Sequence, residues 1–121
     1  MKLSILISMR KQMAINSKKK GKRGELEVVH FLKDRGYNAR RGVQYKGTPD
    51  SPDIECEELN FLHFEVKRAE SLNIEKALQQ SISDAGENQM PIVVHRKNKE
   101  KWKVTLSFDD FLQLIKKEDR L

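Results

Sequence analysis

The chain has 121 residues and a mass of 14.1 kDa, which fits one domain. Charged residues make up 35% and hydrophobic residues 37% of it, and the largely apolar run over residues 3–9 is far shorter than the roughly 18 residues of a membrane span. A single cysteine, Cys56, excludes an intramolecular disulfide framework and a Cys-rich zinc site, and it predicts a reducing, intracellular (cytoplasmic) setting. Composition therefore excludes a membrane transporter and a small secreted domain stabilised by disulfide bonds.

The net charge of +6 is concentrated at one end of the chain. Residues 1–48 carry thirteen Lys or Arg against three acidic residues, whereas residues 49–121 carry eleven against fifteen. Such a basic end is typical of proteins that bind polyanions, because each Lys or Arg at a phosphate releases a condensed counterion. The alternative is a solubilising face with a disordered tail. We predict a flexible basic arm over residues 1–20 and a single domain over residues 21–121.

The hydrophobic pattern predicts helices over residues 22–35, 74–85 and 108–117, and strands over residues 37–41, 53–57, 61–68, 90–95 and 102–107. Gly36 is expected to end the first helix. The resulting order, α-β-β-β-α-β-β-α, favours an α/β fold in which helices flank a mixed β-sheet. The side chains expected to face the core from the three helices are Leu26, Val28, Val29 and Leu32, then Leu78, Ile82 and Ala85, and finally Phe111, Leu112 and Ile115.

The strand over residues 61–68 alternates between apolar and polar side chains. Leu62, Phe64 and Val66 share one face, and His63, Glu65 and Lys67 share the other. Glu65 and Lys67 would lie about 6–7 Å apart along the strand, as a metal ligand beside a charge-stabilising ammonium. The same alternation is also typical of a half-buried strand with one solvated face. The three histidines lack metal-ligand spacing and are expected to be structural or exposed.

A second carboxylate precedes the neighbouring strand. Pro52 fixes the start of this strand, and Asp53 at its first position is expected to point across the hairpin towards Glu65. Two carboxylates brought together repel each other unless a cation or a proton intervenes. Their oxygens suit Mg²⁺, and the backbone carbonyl of Val66 would add another oxygen ligand. The alternative is that Asp53 only ends a turn.

A third acid lies on the core-facing side of the first helix. At about 100° per residue, Val29 and Leu32 flank Glu25, whereas Glu27 lies on the opposite side and is expected to face solvent. Glu25 either interacts with the helix N-terminus or supplies a third carboxylate to the metal site.

The set Glu25, Pro52-Asp53 and Glu65-Val66-Lys67, on a helix and two strands, resembles the PD-(D/E)xK nuclease superfamily with its restriction-endonuclease-like fold. Residues 21–27, the eleven-residue step from Glu25 to Gly36, and residues 37–41 more narrowly resemble the archaeal-type Holliday junction resolvases and their viral relatives. The resemblance covers residues 21 to about 95.

This resemblance implies a structure-selective, metal-dependent DNA endonuclease that resolves four-way junctions in recombination or repair, in a viral or prokaryotic setting. Asp53 and Glu65 would match the central ligands of Mg²⁺ (or Mn²⁺), Glu25 the first-helix acid and Lys67 the active-site lysine. Two symmetric cuts imply a two-fold homodimer. The residues expected to contact DNA are Lys18, Lys19, Lys20, Lys22, Arg23, Arg40, Arg41 and Lys46, and Gln79 or Gln80 would be an accessory site residue. The alternatives are a restriction, repair or nicking endonuclease on the same fold, and a non-catalytic DNA-binding module.

Overall fold

The computed structural model describes residues 21–42 and 52–119, with the side chains of residues 117–119 excepted. Its elements are α1 (residues 21–33), β1 (Ala39–Arg41), β2 (Ile54–Cys56), a 3₁₀ turn (Glu57–Leu59), β3 (Leu62–Arg68), α2 (Ile74–Asp84), β4 (Met90–Arg96), β5 (Lys103–Thr105) and α3 (Phe108–Asp119). This order confirms the predicted α/β fold. The predicted arm, with Lys18, Lys19 and Lys20, and also Lys46 lie outside the described residues.

The strands form one sheet in the order β1-β2-β3-β4-β5. β3 and β4 are parallel, whereas the other three pairs are antiparallel. A parallel pair needs a long crossover connection, and α2 supplies it. β3 therefore lies at the centre of the sheet, with β2 on one side and β4 on the other.

The hydrophobic core lies between α1 and one face of the sheet. Phe64 and Val66 of β3, with Ile92 and Val94 of β4, are buried against Val28, Val29 and Leu32 of α1. Burial of each such side chain contributes about 1.5–3 kcal/mol. This arrangement confirms the predicted apolar face of β3.

The opposite face of β3 is covered by α2, so the alternative of a solvated strand face is wrong. Asn73 caps this helix by accepting a hydrogen bond from the Lys76 amide at 3.1 Å. Ser81 is buried, and its hydroxyl donates to the Ile92 carbonyl at 3.0 Å. His63 and Glu65 beneath the helix are only 0% and 5% exposed. Strand alternation cannot distinguish a face that meets water from one that lies under a helix.

Two predictions on α1 also need correction. Leu26 was expected in the core but is 38% exposed. Glu27 was expected in solvent but is half-buried, with its carboxylate 2.8 Å from Arg96 Nη2 and 3.5 Å from Arg68 Nε. The helix faces the sheet along an arc centred nearer Val28 than Glu25, which turns Glu27 towards the ends of β3 and β4. Gly36 adopts a φ of 89°, as expected of a residue that ends a helix.

Several large apolar side chains of α2 and α3 keep more than 40% of their surface exposed. Ile82, predicted to face the core, is 44% exposed. Phe111, Leu112 and Ile115, predicted to face inward, are between 42% and 45% exposed, and Phe108 is 74% exposed. α3 therefore leaves several apolar side chains partly exposed. None of the helices in the described part of the chain is both long and apolar enough to cross a bilayer.

Candidate active site

Asp53 is held at the point where the pairing of β2 with β3 ends. Its amide donates to the Phe64 carbonyl at 2.9 Å, and its carbonyl accepts from the Gly42 amide at 2.9 Å. Its side-chain Oδ2 accepts a hydrogen bond from the Val66 amide at 2.8 Å. The carboxylate thus takes the place of a backbone carbonyl in the ladder, and both its position and its orientation follow from strand geometry.

Glu65 and Lys67 extend from β3 on the face covered by α2. Lys67 Nζ lies 3.3 Å from Glu65 Oε1. The carboxylate is almost fully buried, whereas the lysine side chain keeps 34% of its surface exposed. Lys67 therefore connects a buried acid to the solvent side of the site.

Glu25 approaches from α1. Gly24 is buried, and a Cβ at this position would lie only 3.1 Å from Arg68 Cβ, so the small residue lets the first turn of α1 come close to β3. The Glu25 side chain is 16% exposed, and Arg41 Nε donates to its Oε2 at 2.9 Å. β1 thus holds the acid of α1 in place through Arg41.

The electrostatics of Asp53 show that these four side chains act on one another. Burial raises the pKa of Asp53 to about 7, with further contributions from the negative charges of Glu65 and Glu25. The hydrogen bond from Val66 and the charge of Lys67 oppose this rise of the pKa without cancelling it. Burial also raises the pKa of Glu65, although Lys67 counteracts it. Burial, reinforced by the neighbouring acids, therefore disfavours the ionised form of both carboxyl groups.

A divalent cation fits this donor set. The amide and the carbonyl of one strand residue point towards the same strand edge, so the Val66 carbonyl points to the side where Asp53 accepts from the Val66 amide. Carboxylate and carbonyl oxygens are the ligands that Mg²⁺ prefers. The carboxylates of Asp53 and Glu65 and this carbonyl would hold such an ion, with Glu25 close by.

The other predicted site residues lie further out. Lys22 and Arg23 are exposed in the first turn of α1. The Arg40 side chain is 72% exposed, and its Nε donates to Glu55 at 2.7 Å. Gln79 and Gln80 are exposed on α2, and no hydrogen bond among the described residues joins either of them to the acids. Their contribution to the site stays a prediction.

Two potential metal ligands beside Glu65 were not identified from the sequence. His63 and Asp84 each place a potential ligand atom within 4.8 Å of the other and of a Glu65 oxygen. The signal for His63 was its position on the same strand face as Glu65. The position of Asp84 depends on the path by which α2 returns along β3, which the sequence does not specify.

Comparisons with known proteins give a family and a similar fold. The sequence model of a family described as "Phage putative PDDEXK endonuclease" matches residues 16–120. In fold, the chain is similar to Hjc, a Holliday junction resolvase from the archaeal hyperthermophile Archaeoglobus fulgidus, with a TM-score of 0.53, 24% sequence identity and 72% of each chain covered. No curated protein is significantly similar to the chain in sequence.

The raised pKa of Asp53 predicts how the stability of the metal-free protein depends on pH. Because the folded protein holds this proton up to about pH 7 while the unfolded chain releases it near pH 3.8, the free energy of unfolding should fall as the pH rises between these values. Asp53→Asn should remove this pH-dependent decrease in the free energy of unfolding, which amounts to at most about 4 kcal/mol above pH 7. Thermal unfolding in a chelator from pH 4 to 8 measures it. A wild type and a variant with parallel pH profiles would contradict the assignment.

Proposed function

The chain belongs to the phage putative PDDEXK endonuclease family, and we propose that it is a divalent-metal-dependent DNA endonuclease that hydrolyses phosphodiester bonds, preferentially in four-way junctions. The observation that carries the proposal is the placement of Asp53, whose carboxylate accepts from the Val66 amide at 2.8 Å, beside the β3 pair of Glu65 and Lys67, whose charged groups lie 3.3 Å apart. The resemblance of residues 21–41 to junction resolvases and the fold shared with Hjc support the choice of substrate. Fold alone does not determine substrate, so cleavage assays must test it.

Asp53 and Glu65 would hold Mg²⁺, or Mn²⁺ in its place, together with the Val66 carbonyl. When bound, the ion supplies a Lewis acid for the phosphate and lowers the pKa of a water molecule. Because the pKa of metal-free Asp53 is about 7, binding of the ion must displace a proton from this carboxyl group over part of the neutral pH range. Glu25, fixed by Arg41, would orient the water shell of the site or support a second ion.

Lys67 would act on the scissile phosphate. Its ammonium lies 3.3 Å from a carboxylate oxygen of Glu65 and reaches the solvent side of the site. A cation held there stabilises the charge that develops on the phosphate in the transition state and orients the attacking water. This stabilisation requires no reorganisation at the moment of reaction, because β3 fixes the position of the lysine.

The basic residues around the site would position the DNA backbone. Lys22 and Arg23 are exposed at the start of α1, and Arg40 and Arg41 lie on the edge strand β1 that faces the Glu25 side of the site. Contacts to phosphate fix the register and orientation of DNA without reading bases. The proposed contacts therefore fit an enzyme that selects DNA by its shape.

We propose that the enzyme works as a two-fold homodimer, because a junction is resolved by two symmetric cuts. The surface offered for self-association is formed by the partly exposed apolar side chains of α3, where Phe108 and Phe111 stack with ring centroids 6.5 Å apart. Phe111 also lines an apolar groove of about 520 Å³, together with Phe31, Val104 and other residues. An intracellular setting, as in a phage-infected cell, fits an enzyme that acts on DNA.

Two other functions are compatible with the fold. A restriction, repair or nicking endonuclease would use the same four residues on linear DNA or flaps. A non-catalytic DNA-binding module would need none of them, and the crowding of buried acids disfavours it, since phosphate is itself negatively charged.

We expect Mg²⁺-dependent cleavage of a labelled four-way junction that exceeds cleavage of a linear duplex or a flap of the same sequence. Asp53→Asn and Glu65→Gln should each lower the rate at least about 100-fold, because they remove metal ligands. Glu100→Gln, which changes an exposed acid in the turn before β5, is the matched control. DNA-dependent activity unchanged in Asp53→Asn would favour the binding module, and preferred cleavage of the duplex would favour the restriction or repair alternative.

Lys67→Ala should slow hydrolysis about 100- to 1,000-fold at saturating DNA, since it removes charge that acts mainly on the transition state. Its affinity for the junction should change far less than its turnover. Gel-shift titration in Ca²⁺ and single-turnover cleavage in Mg²⁺ measure the two quantities, with Lys101→Ala as a charge-matched control on the exposed turn. Normal hydrolysis by Lys67→Ala would refute the role of this lysine.

Phe111→Glu should convert a dimer into a monomer, because it places a charge in the apolar face of α3. Sedimentation velocity at micromolar concentration measures the change, and Gln113→Glu on the same helix is the matched control. A wild-type protein that sediments as a monomer at these concentrations and in the presence of a junction would contradict the dimer.

A further inference from the structure

His63 is a fully buried imidazole whose environment the proposed catalysis does not explain. It is 0% exposed, and neither Nδ1 nor Nε2 has a hydrogen-bond partner among the described residues. Buried polar atoms almost always have a partner, so either nitrogen of this imidazole is available to a ligand.

The two nearest potential ligands are carboxylates. Glu65 lies two residues further along β3 on the same face, and Asp84 is the last residue of α2, which packs over this face. One atom from each of the three side chains lies within 4.8 Å of the other two. Glu65 is 5% exposed and Asp84 is half-buried, so the cluster lies beneath α2 but is open to solvent on the Asp84 side.

We propose that His63, Glu65 and Asp84 form a second cation site, which binds a divalent transition-metal ion such as Zn²⁺ in preference to Mg²⁺. An imidazole nitrogen is a good ligand for Zn²⁺ and Cu²⁺, whereas Mg²⁺ prefers oxygen ligands. Two carboxylates and a neutral imidazole balance a divalent charge. The C-terminus of α2 adds the negative end of the helix dipole, which also favours a cation.

Three protein ligands leave a coordination position for water, which the solvent side at Asp84 can supply. The ligand atoms would have to move towards the ion, since zinc–ligand distances are about 2.0–2.2 Å. Asp84 lies at a helix end and is half-buried, so it is the ligand with most freedom to do so. An ion here would tie the end of α2 to β3 and hold Glu65 from the side opposite Asp53.

The second site shares Glu65 with the proposed active site but does not require nuclease activity. Its test is the melting temperature of the metal-free protein as Zn²⁺ is added. At a concentration about 100 times the dissociation constant, the melting temperature should rise by about 10 °C, and Mg²⁺ at that concentration should not produce this rise. His63→Gln and Asp84→Asn should abolish the rise, whereas Asp53→Asn should retain it.

His30→Gln is the matched control, because His30 is exposed on α1 and should not contribute. If His63→Gln does not fold, Asp84→Asn alone decides, since its side chain is only half-buried. Direct nitrogen ligation is checked by ¹⁴N coupling in the electron paramagnetic resonance spectrum of bound Cu²⁺, a metal ion that imidazole binds well, which Asp53→Asn should keep and His63→Gln should lose.

Three results would overturn the second site: no rise in the wild type, a rise that persists in Asp84→Asn, or a rise that Asp53→Asn abolishes. The last would place the ion between Asp53 and Glu65 instead. The expected pattern in a protein that cleaves no DNA would support the second site while refuting the proposed nuclease function.

Discussion

The hydrogen bond from the Val66 amide to the Asp53 carboxylate is the constraint on which the site depends. A carboxylate that occupies a ladder position cannot rotate away from its neighbours without leaving a strand amide unsatisfied. Since β3 also presents Glu65, the pairing of β2 with β3 brings the half-buried Asp53 and the buried Glu65 together. Burial and repulsion outweigh the stabilisation by the hydrogen bond and by Lys67, because the net effect on the pKa of Asp53 is a rise to about 7. A divalent ion held by Asp53 and Glu65 would stabilise the ionised form of both carboxyl groups.

The helices on the two faces of the sheet determine which side of the site is buried and which is exposed to solvent. α1 packs on one face of β3 and brings Glu25, whereas α2 covers the other face and buries His63 and Glu65. The positive groups face outward: the side chains of Lys67 and Arg41 keep about a third or more of their surface exposed. A polyanion approaching from solvent would therefore meet the cations first and the carboxylates behind them, and only a bridging metal ion would let phosphate come close to the acids.

Much of this fold could be predicted from the sequence because the β3 and α1 patterns are strong. The apolar set of Phe64, Val66, Val28 and Leu32 has a clear period, and its burial follows directly from it. The nearness of Asp53 to β3 could be inferred from a hairpin that starts at Pro52. The covered face of β3 could not be inferred, because the period of two is the same whether a helix or water lies against that face. Asp84 and Glu27 show the same limit, since their partners are distant in sequence and depend on how whole helices pack.

The exposed apolar side chains of α3 show a related limit of prediction from sequence patterns. Phe111 and Ile115 have the spacing of core residues, yet each is more than 40% exposed. Periodicity identifies an apolar face but not what covers it, and a partner subunit satisfies the same pattern as a core.

The most direct test of the account is the pKa of the Asp53 carboxyl group, measured by ¹³C NMR of the side chain with and without Mg²⁺. We expect a pKa of about 7 in the metal-free protein and a fall to its ordinary value or below when Mg²⁺ is saturating. A pKa that Mg²⁺ leaves unchanged, or one already near 4 without metal, would contradict it.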